Sequence, residues 1–573
     1  MKADLTRNTF CSFKHFRRVL MQQGRVQLDA DWNEQAAILL HNLESLAADV
    51  IGQAGGTPGA FAISPIPLSP AITSDFRIAL GDYYVDGILC EADSVPVYVF
   101  SPALSGNTAT VGADSLFLDG SEFHTDQYVE LFDDVPPSAK VAFDPTVVRI
   151  KSVDPKKRQF TFDTNLGTKL TNSSNPRVRR VITYLTQPDY PVPDPIKTPV
   201  SYLVYLDVWE RHITYIENDS IREVALGGPD TATRSKVVWQ VKVIPGKAGT
   251  AAANTGTANT GAAGSPDARK PSSCDNFNPD DPNLLLLLFG EDRGRLKAMA
   301  RQKSASTDPC IIPPDANYRG AENQLYRVEI HRPGPAWDGK TSTESSAATF
   351  KWSRENGSVT FAVVSVASGS GTTTVVLENL GRDDRFGLSE GDWVELVNDV
   401  YVLQNESADL LRVQKIDSGS LTVTLEGAAD SSLAKPGTHP LLRRWDQKGG
   451  DPAEGGLTLG NDKAALVEES SSNWLVLEDG VQIQFQPPVP GRPDNQYRTG
   501  DYWLIPARTA TGDVEWPRET IQDPNGTTTI VPIAKPPDGI QHHYAPLAVI
   551  NVTPTLIEVL KPECRKEIKP IAG

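Results

Sequence analysis

Cysteine is scarce in this chain. Five residues of 573 (Cys11, Cys90, Cys274, Cys310 and Cys564) are spread widely, with no Cys-x-x-Cys among them. That density excludes a disulfide framework, and the spacing fits neither a zinc ribbon nor a thioredoxin-type centre. Independent thiols are expected, with Cys274 and Cys310, which flank one irregular segment, as the pair placed to bridge. Long hydrophobic runs are missing as well. The longest, Leu284 to Phe289, has six residues, far short of the roughly 20 a membrane-spanning helix needs. Met1 to Arg7 carries no apolar stretch of the secretory kind. Positive charge is in deficit, with 55 Lys and Arg against 72 Asp and Glu and a formal net charge of −17. Such a field repels nucleic acid and anionic membrane at long range.

Recognisable catalytic motifs are also lacking. No phosphate-cradling Walker loop, no Gly-x-Gly-x-x-Gly at a strand–helix junction and no Gly-x-Ser-x-Gly elbow occurs, which argues against nucleotide-dependent chemistry. Of eight histidines only His542-His543 cluster; Asp538 is the nearest carboxylate, and ligand spacing for zinc is absent. Asp29-Ala30-Asp31-Trp32-Asn33 opens like a calcium loop but has Glu34 where glycine must turn and Leu40 where a bidentate Glu belongs. Asn276, Asn278, Asp280 and Asp281 read as turn chemistry. No catalytic, cofactor or metal residue is assigned from the sequence. A carboxylate pair of the glycosidase kind can still hide, because sequence spacing does not report a separation of about 5–9 Å in space.

Turn formers are abundant, with 44 Gly and 44 Pro, and the apolar pattern is mostly of period two. One clear helix precedes it. Asp31 is placed to cap it, with Glu34 three residues on as in a capping box. Trp32, Ala36, Leu39, Leu43, Leu46 and Val50 then recur in a four-three spacing that lines one face, and the pattern ends at Gly52. Such a seam can pack on a partner helix, and these six residues are the candidate partner interface. Ala37, Ile38 and Leu40 widen the stripe, which favours the chain's own core over an intersubunit seam.

Strands follow. Gly81 to Leu89 reads as a hairpin around Asp86-Gly87, and Trp474 to Phe485 as another around Asp479-Gly480, both with type I′ turn chemistry. Tyr202 to Trp209 and Val237 to Val243 are apolar enough to be buried strands. The most informative feature is an internal repeat. Tyr128-Val129-Glu130-Leu131-Phe132 is echoed by Trp393-Val394-Glu395-Leu396-Val397. Val148-Arg149-Ile150-Lys151-Ser152-Val153-Asp154 is echoed by Leu411-Arg412-Val413-Gln414-Lys415-Ile416-Asp417, and each copy closes with a further alternating strand. A duplicated strand–loop–strand–turn–strand unit predicts two small SH3-like barrels or sandwich lobes. The stretch 247–273 is low in complexity and reads as a tether, and Asp292 to Gln302 as a short basic helix.

The expected fold is therefore mainly β, with several small β-barrel or β-sandwich lobes, an N-terminal helix and a short helical insertion. Its expected segments are a docking segment (1–70), a β domain with the first barrel repeat (71–200), an interrupted sheet (201–345), the second barrel repeat (346–435) and a C-terminal β domain (436–573).

Several strings together carry a family likeness. Lys14 to Gln35, with Phe16-Arg17-Arg18-Val19-Leu20 and Gln27-Leu28-Asp29-Ala30-Asp31-Trp32-Asn33-Glu34-Gln35, is the most specific. Val224 to Thr231, Glu322 to Glu329, Phe350 to Gly357, Tyr497 to Trp503 and His542 to Leu547 extend it to the C-terminus. On these the chain resembles an uncharacterised family encoded in gene clusters for extracellular, phage-tail-like contractile injection systems, with a looser likeness to phage tail-fibre and baseplate proteins. The resemblance implies a structural subunit, baseplate-associated as a peripheral cage or fibre-attachment component, that docks onto baseplate, sheath or fibre proteins and forms homo-oligomers within the assembly. It implies no cofactor, nucleic acid or direct membrane insertion. It also implies assembly in the cytoplasm of the producing cell, followed by a place in an extracellular or membrane-anchored particle. A glycan-binding fibre or spike protein and a carboxylate-dependent polysaccharide hydrolase are the competing expectations.

Overall fold

The computed structural model describes residues 1–68, 71–99, 107–111, 117–118, 121–135, 144–166, 175–226, 230–245, 293–300, 318–369, 371–430, 433, 435, 437–522, 526, 528–561 and 563–569. The chain forms two compact units, one from residues 1–42, 209–237 and 285–542, the other from 43–208, 238–284 and 543–573. Strands dominate both, and the principal helix is α1 (Asp29–Ile51). It ends where the pattern predicts, with Gly52 at φ +95°, a left-handed C-cap that glycine adopts without steric cost.

In the unit that contains residues 43–208, the expected hairpin forms between Gly81–Val85 and Ile88–Ala92. Asp86 (φ 49°) and Gly87 (φ +84°) make the two left-handed turn positions of type I′. Beyond it, six short strands make one antiparallel sheet: β1 (Val97–Tyr98), β2 (Thr108–Thr110), β3 (Tyr128–Asp133), β4 (Thr146–Asp154), β5 (Gln159–Phe162) and β6 (Pro176–Arg180), in the order β1-β6-β3-β4-β5-β2. Alternate residues Val129, Leu131, Val148, Ile150, Phe160 and Phe162 point into one core, as the period-two pattern dictates. A single bridge between Val99 and Val111 brings the two ends of the sheet together. A four-stranded sheet runs in the order Arg234–Pro245, Val200–Ile213, His542–Val552, Ile557–Val559, and its residues 200–208, 238–245 and 543–559 belong to this unit.

The other unit is built on a five-stranded sheet and a closed barrel. Its sheet is centred on β7 (Gln324–Arg332) and β8 (Thr349–Ser353). The barrel follows as β9 (Thr360–Ser368), β10 (Thr372–Leu377), β11 (Trp393–Val397), β12 (Leu410–Asp417), β13 (Thr422–Glu426) and β14 (Leu441–Trp445), closed in the order β9-β10-β13-β12-β11-β14. Trp352, Trp503, Phe350, Phe485 and Tyr326 fill the core beneath the sheet.

The two barrels are copies of one design. Their strand orders superpose one to one, and the second strand of the repeated motif carries a bulge at the same place, Ile150/Ser152 in β4 and Val413/Lys415 in β12. A bulge adds twist and lets short strands curl into a barrel. Among the described residues, β9 and β10 pair along a full ladder, and β1 and β2 are joined by the Val99–Val111 bridge.

Three sequence expectations need correction. The segment read as a basic helix contains a strand, Arg295–Ala300, paired with Val481–Gln486; Leu296, Ala298 and Ala300 alternate inward, so period two prevails over the helix-like spacing of the basic residues. Asp31 is not the cap of α1. The helix begins two residues earlier, and Asp31 lies inside the first turn, where Oδ2 accepts the Leu28 N–H at 3.3 Å. Cys564 is disulfide-bonded while Cys11 and Cys90 are free. The partner of Cys564 lies outside the described residues, as do Cys274, Cys310, the tether 247–273, the Leu284–Phe289 run and the Asn276–Asp281 turn.

Candidate functional site

The six residues of the sequence-predicted seam share one face of α1, and that face is bare. Trp32, Leu39, Leu43, Leu46 and Val50 are each 59–64% exposed, and Ala36 is exposed with them. The preference for packing on the chain's own core is thereby corrected: only Ala30 and Ile38, on the other side of the helix, are buried. The N-terminal arm is bound by polar side chains in the first two turns of the helix. Asp29 accepts from the Thr6 amide and hydroxyl at 2.9 and 2.6 Å. Glu34 accepts from the Thr9 hydroxyl at 2.7 Å, and Gln35 from the Val19 amide at 2.9 Å. The arm thus holds the start of the helix through three polar side chains, and the seam from Trp32 to Val50 stays in solvent. The arm adds Phe13, Phe16, Leu20, Met21 and Val26 to the exposed apolar surface. Exposed apolar patches of this kind mark interaction sites.

The seam has the geometry of a heptad repeat, with Trp32, Leu39 and Leu46 at one core position and Ala36, Leu43 and Val50 at the other. Its flanks are Asn33, Gln35, Leu40, Asn42, Ala47 and Asp49. Only Asp49 is charged among them, so a facing helix meets no row of like charge.

A second feature lies in the unit with the closed barrel. A cavity of about 620 Å³ opens where the barrel meets the neighbouring sheet. Arg412, Trp393 and Trp445 stand opposite one another on adjacent strands β12, β11 and β14 and line it as one row. Trp445 is fully buried, its indole N–H donating to Glu395 at 3.0 Å, and the half-buried Trp393 packs against it. Two arginines of the wall are clamped. Arg354 grips Glu478 in two hydrogen bonds of 2.9 and 2.7 Å, and Arg385 grips Glu355 in two of 2.7 and 3.0 Å. Burial pushes both carboxyl groups up, and the arginines oppose it. Other polar groups of the wall are less completely paired. Arg412 and Lys448 are exposed and have no ion pair among the described residues, and the buried Gln447 leaves Oε1 without a hydrogen-bond donor there.

Sequence reading missed a buried charge network that joins barrel to sheet. Arg327, Glu329 and His331 alternate along β7 with Lys351 on β8, Glu395 on β11 and Arg443 on β14, and all six are nearly inaccessible. Lys351 Nζ lies 2.7 Å from Glu395 and 3.7 Å from Glu329, and Lys2 Nζ lies 2.9 Å from Glu329. Burial opposes ionisation of Glu329, but Lys2, Arg327 and Lys351 together hold it well below the usual carboxylate range. Burial lowers Lys2 to about 8, and burial reinforced by Lys351 lowers His331 to about 4. Alternating charges on a strand read as a solvated face, and only tertiary structure shows the face to be covered.

Of the remaining candidates, His543 Nδ1 lies 2.8 Å from Asp86, and the His542 ring packs on Trp209. No cluster of three His, Cys, Asp or Glu side chains is placed to hold a metal ion among the described residues. No helix there is long and apolar enough to cross a membrane.

These features define a β-rich, multi-domain protein with a bare helical face and a polar cavity. The chain belongs to DUF6519, a family of unknown function whose model matches residues 1–165, 187–260 and 255–564. No curated protein and no solved structure matches it.

Proposed function

We propose that this protein is a structural subunit that holds neighbouring subunits in place, docking through the arm and the apolar face of α1. Its occupant is an apolar α-helix presented by an adjoining protein. The exposed heptad seam, bare from Trp32 to Val50, carries this reading. The near-absence of charge beside the seam favours a helix over other occupants, since close helix packing tolerates no uncompensated like-charged row. The resemblance of Lys14 to Gln35 and the later strings supplies the setting, a baseplate-associated position in a contractile, phage-tail-like particle, as a peripheral cage or fibre-attachment component. Repetition of each contact by particle symmetry suits stiff β lobes that bring one docking helix apiece.

The test replaces Leu39 and Leu43 together by Asp in the producing cell. The expected protein is folded and soluble by circular dichroism but absent from purified particles. Loss of solubility assigns the stripe to the chain's own core, and normal incorporation removes the seam from the interface; either overturns the reading. Intact particles recovered from cells lacking the gene overturn the placement in the particle.

A further inference from the structure

The six-stranded sheet and the closed barrel share one strand plan, and one of them makes an ion pair that the other lacks. In the first, Arg149 stands opposite Tyr128 and is saturated, 3.1 Å from Asp163 and 3.6 Å from Asp126. The second sets Arg412 opposite Trp393 in the same relation. Gly391 occupies the place of Asp126. Each has positive φ (69° for Asp126, +96° for Gly391), and each donates its N–H at 2.8 Å to the carbonyl of the residue before the bulge, Ile150 or Val413. Glu426, the counterpart of Asp163, is the register partner of Arg412 but forms no ion pair with it. A conserved scaffold thus holds a neutralised arginine in one copy. In the other, the arginine is released beside an indole, at the wall of a cavity.

We propose that this cavity is a binding site for a carbohydrate bearing a carboxylate, a uronic-acid sugar. The face of a sugar ring stacks on the Trp393 indole, which presents an apolar surface to its C–H bonds. Arg412 takes the carboxylate in the bidentate geometry a guanidinium favours, with Lys448 as a second cation. The half-buried Asp392 carboxylate, also in the wall, accepts from ring hydroxyls. A volume of about 620 Å³ falls within the usual range of small-molecule sites, about 300–1,000 Å³. The net charge of −17 disfavours anions at a distance, so recognition rests on these short-range contacts. This site is independent of the α1 seam and stands or falls separately from it.

The test is titration of the full-length protein with trigalacturonate, followed by calorimetry and tryptophan fluorescence, with maltotriose as the neutral control. Trigalacturonate is expected to bind and maltotriose to bind at least tenfold more weakly. Arg412→Ala should lower affinity by roughly tenfold or more, the worth of a charge-assisted contact. Trp393→Ala should also weaken binding, and Arg149→Ala should leave it unchanged. Gly391→Asp, which restores the ion-pair partner of the first copy, should abolish binding while the far-ultraviolet dichroism stays that of the parent. No trigalacturonate binding at millimolar concentration, equal affinity for the neutral sugar, or an Arg412→Ala variant with parental affinity would each overturn the assignment.

Discussion

Removing one cation from the buried network tests whether it welds the barrel to the sheet. Lys351 is the informative choice, because its ammonium lies 2.7 Å from Glu395 and 3.7 Å from Glu329 and also over the Trp445 ring at 4.6 Å. With an effective dielectric of about 20, the nearer attraction alone is about 6 kcal/mol. Burying the ammonium offsets several kcal/mol of that, which leaves a net loss of about 3–5 kcal/mol when one member of a buried pair is deleted. Lys351→Met is therefore expected to destabilise this unit by that amount in urea unfolding. Intrinsic fluorescence is a suitable reporter, since Trp352, Trp445 and Trp503 are fully buried there.

Two further measurements separate the charge from the packing. In the double variant Lys351→Met, Glu395→Gln, no buried carboxylate is stranded at position 395, and at least half of the loss should return. The loss should also shrink as pH falls. Burial and Lys351 hold His331 at about 4, so its neutral form supports folding above pH 6.5, and that support fades as pH falls from 6.5 towards 4. Without Lys351 the imidazole, 3.9 Å from Glu395, gains protons more readily and stands in for the missing ammonium. A single variant that loses less than about 1 kcal/mol, or a double variant that recovers nothing, would refute the account.

Other consequences are simpler to measure. Asp75 is buried, and desolvation raises it to about 6 against hydrogen bonds from Thr183, Leu185 and Phe76. The folded state thus holds this proton more tightly than the unfolded one, and stability rises as pH falls through about 6. Asp75→Asn should accordingly stabilise its unit by up to about 2 kcal/mol at pH 7.5, with the difference gone by pH 4 in urea titrations. Gly87→Ala places a side chain against the backbone carbonyl of Glu44 at φ +84°; a loss of more than about 2 kcal/mol by thermal unfolding is expected. Leu39→Asp with Leu43→Asp, by contrast, should cost no more than about 1 kcal/mol, the helix-propensity difference at two sites, since both side chains are already in solvent.

Much of the fold was legible because its signals are local. Asp-Gly at 86–87 and 479–480 fixes two turns with the left-handed residues that type I′ requires, and Gly52 ends α1 for the same steric reason. The barrel duplication could be read from matched strings, since a strand's inward set is written at every second residue. What could not be read depends on which face a distant element covers. Leu296, Ala298 and Ala300 carry a weak strand signal until Val481–Gln486 pairs with them. Arg327, Glu329 and His331 look solvated until the barrel closes over them. The stripe on α1 fails in the opposite sense: its periodicity was plain, but nothing local says that the face stays in solvent while the arm's Thr6, Thr9 and Val19 bind Asp29, Glu34 and Gln35. The cavity is the extreme case, because its distinguishing residue, Gly391, lies just outside the repeated strings and gains meaning only through Asp126 in the other copy. Similarity within a duplicated fold reports what the scaffold needs in order to close. A single departure at an equivalent position, where Arg412 lacks the ion pairs that Arg149 makes, marks where the chemistry of the two copies diverges.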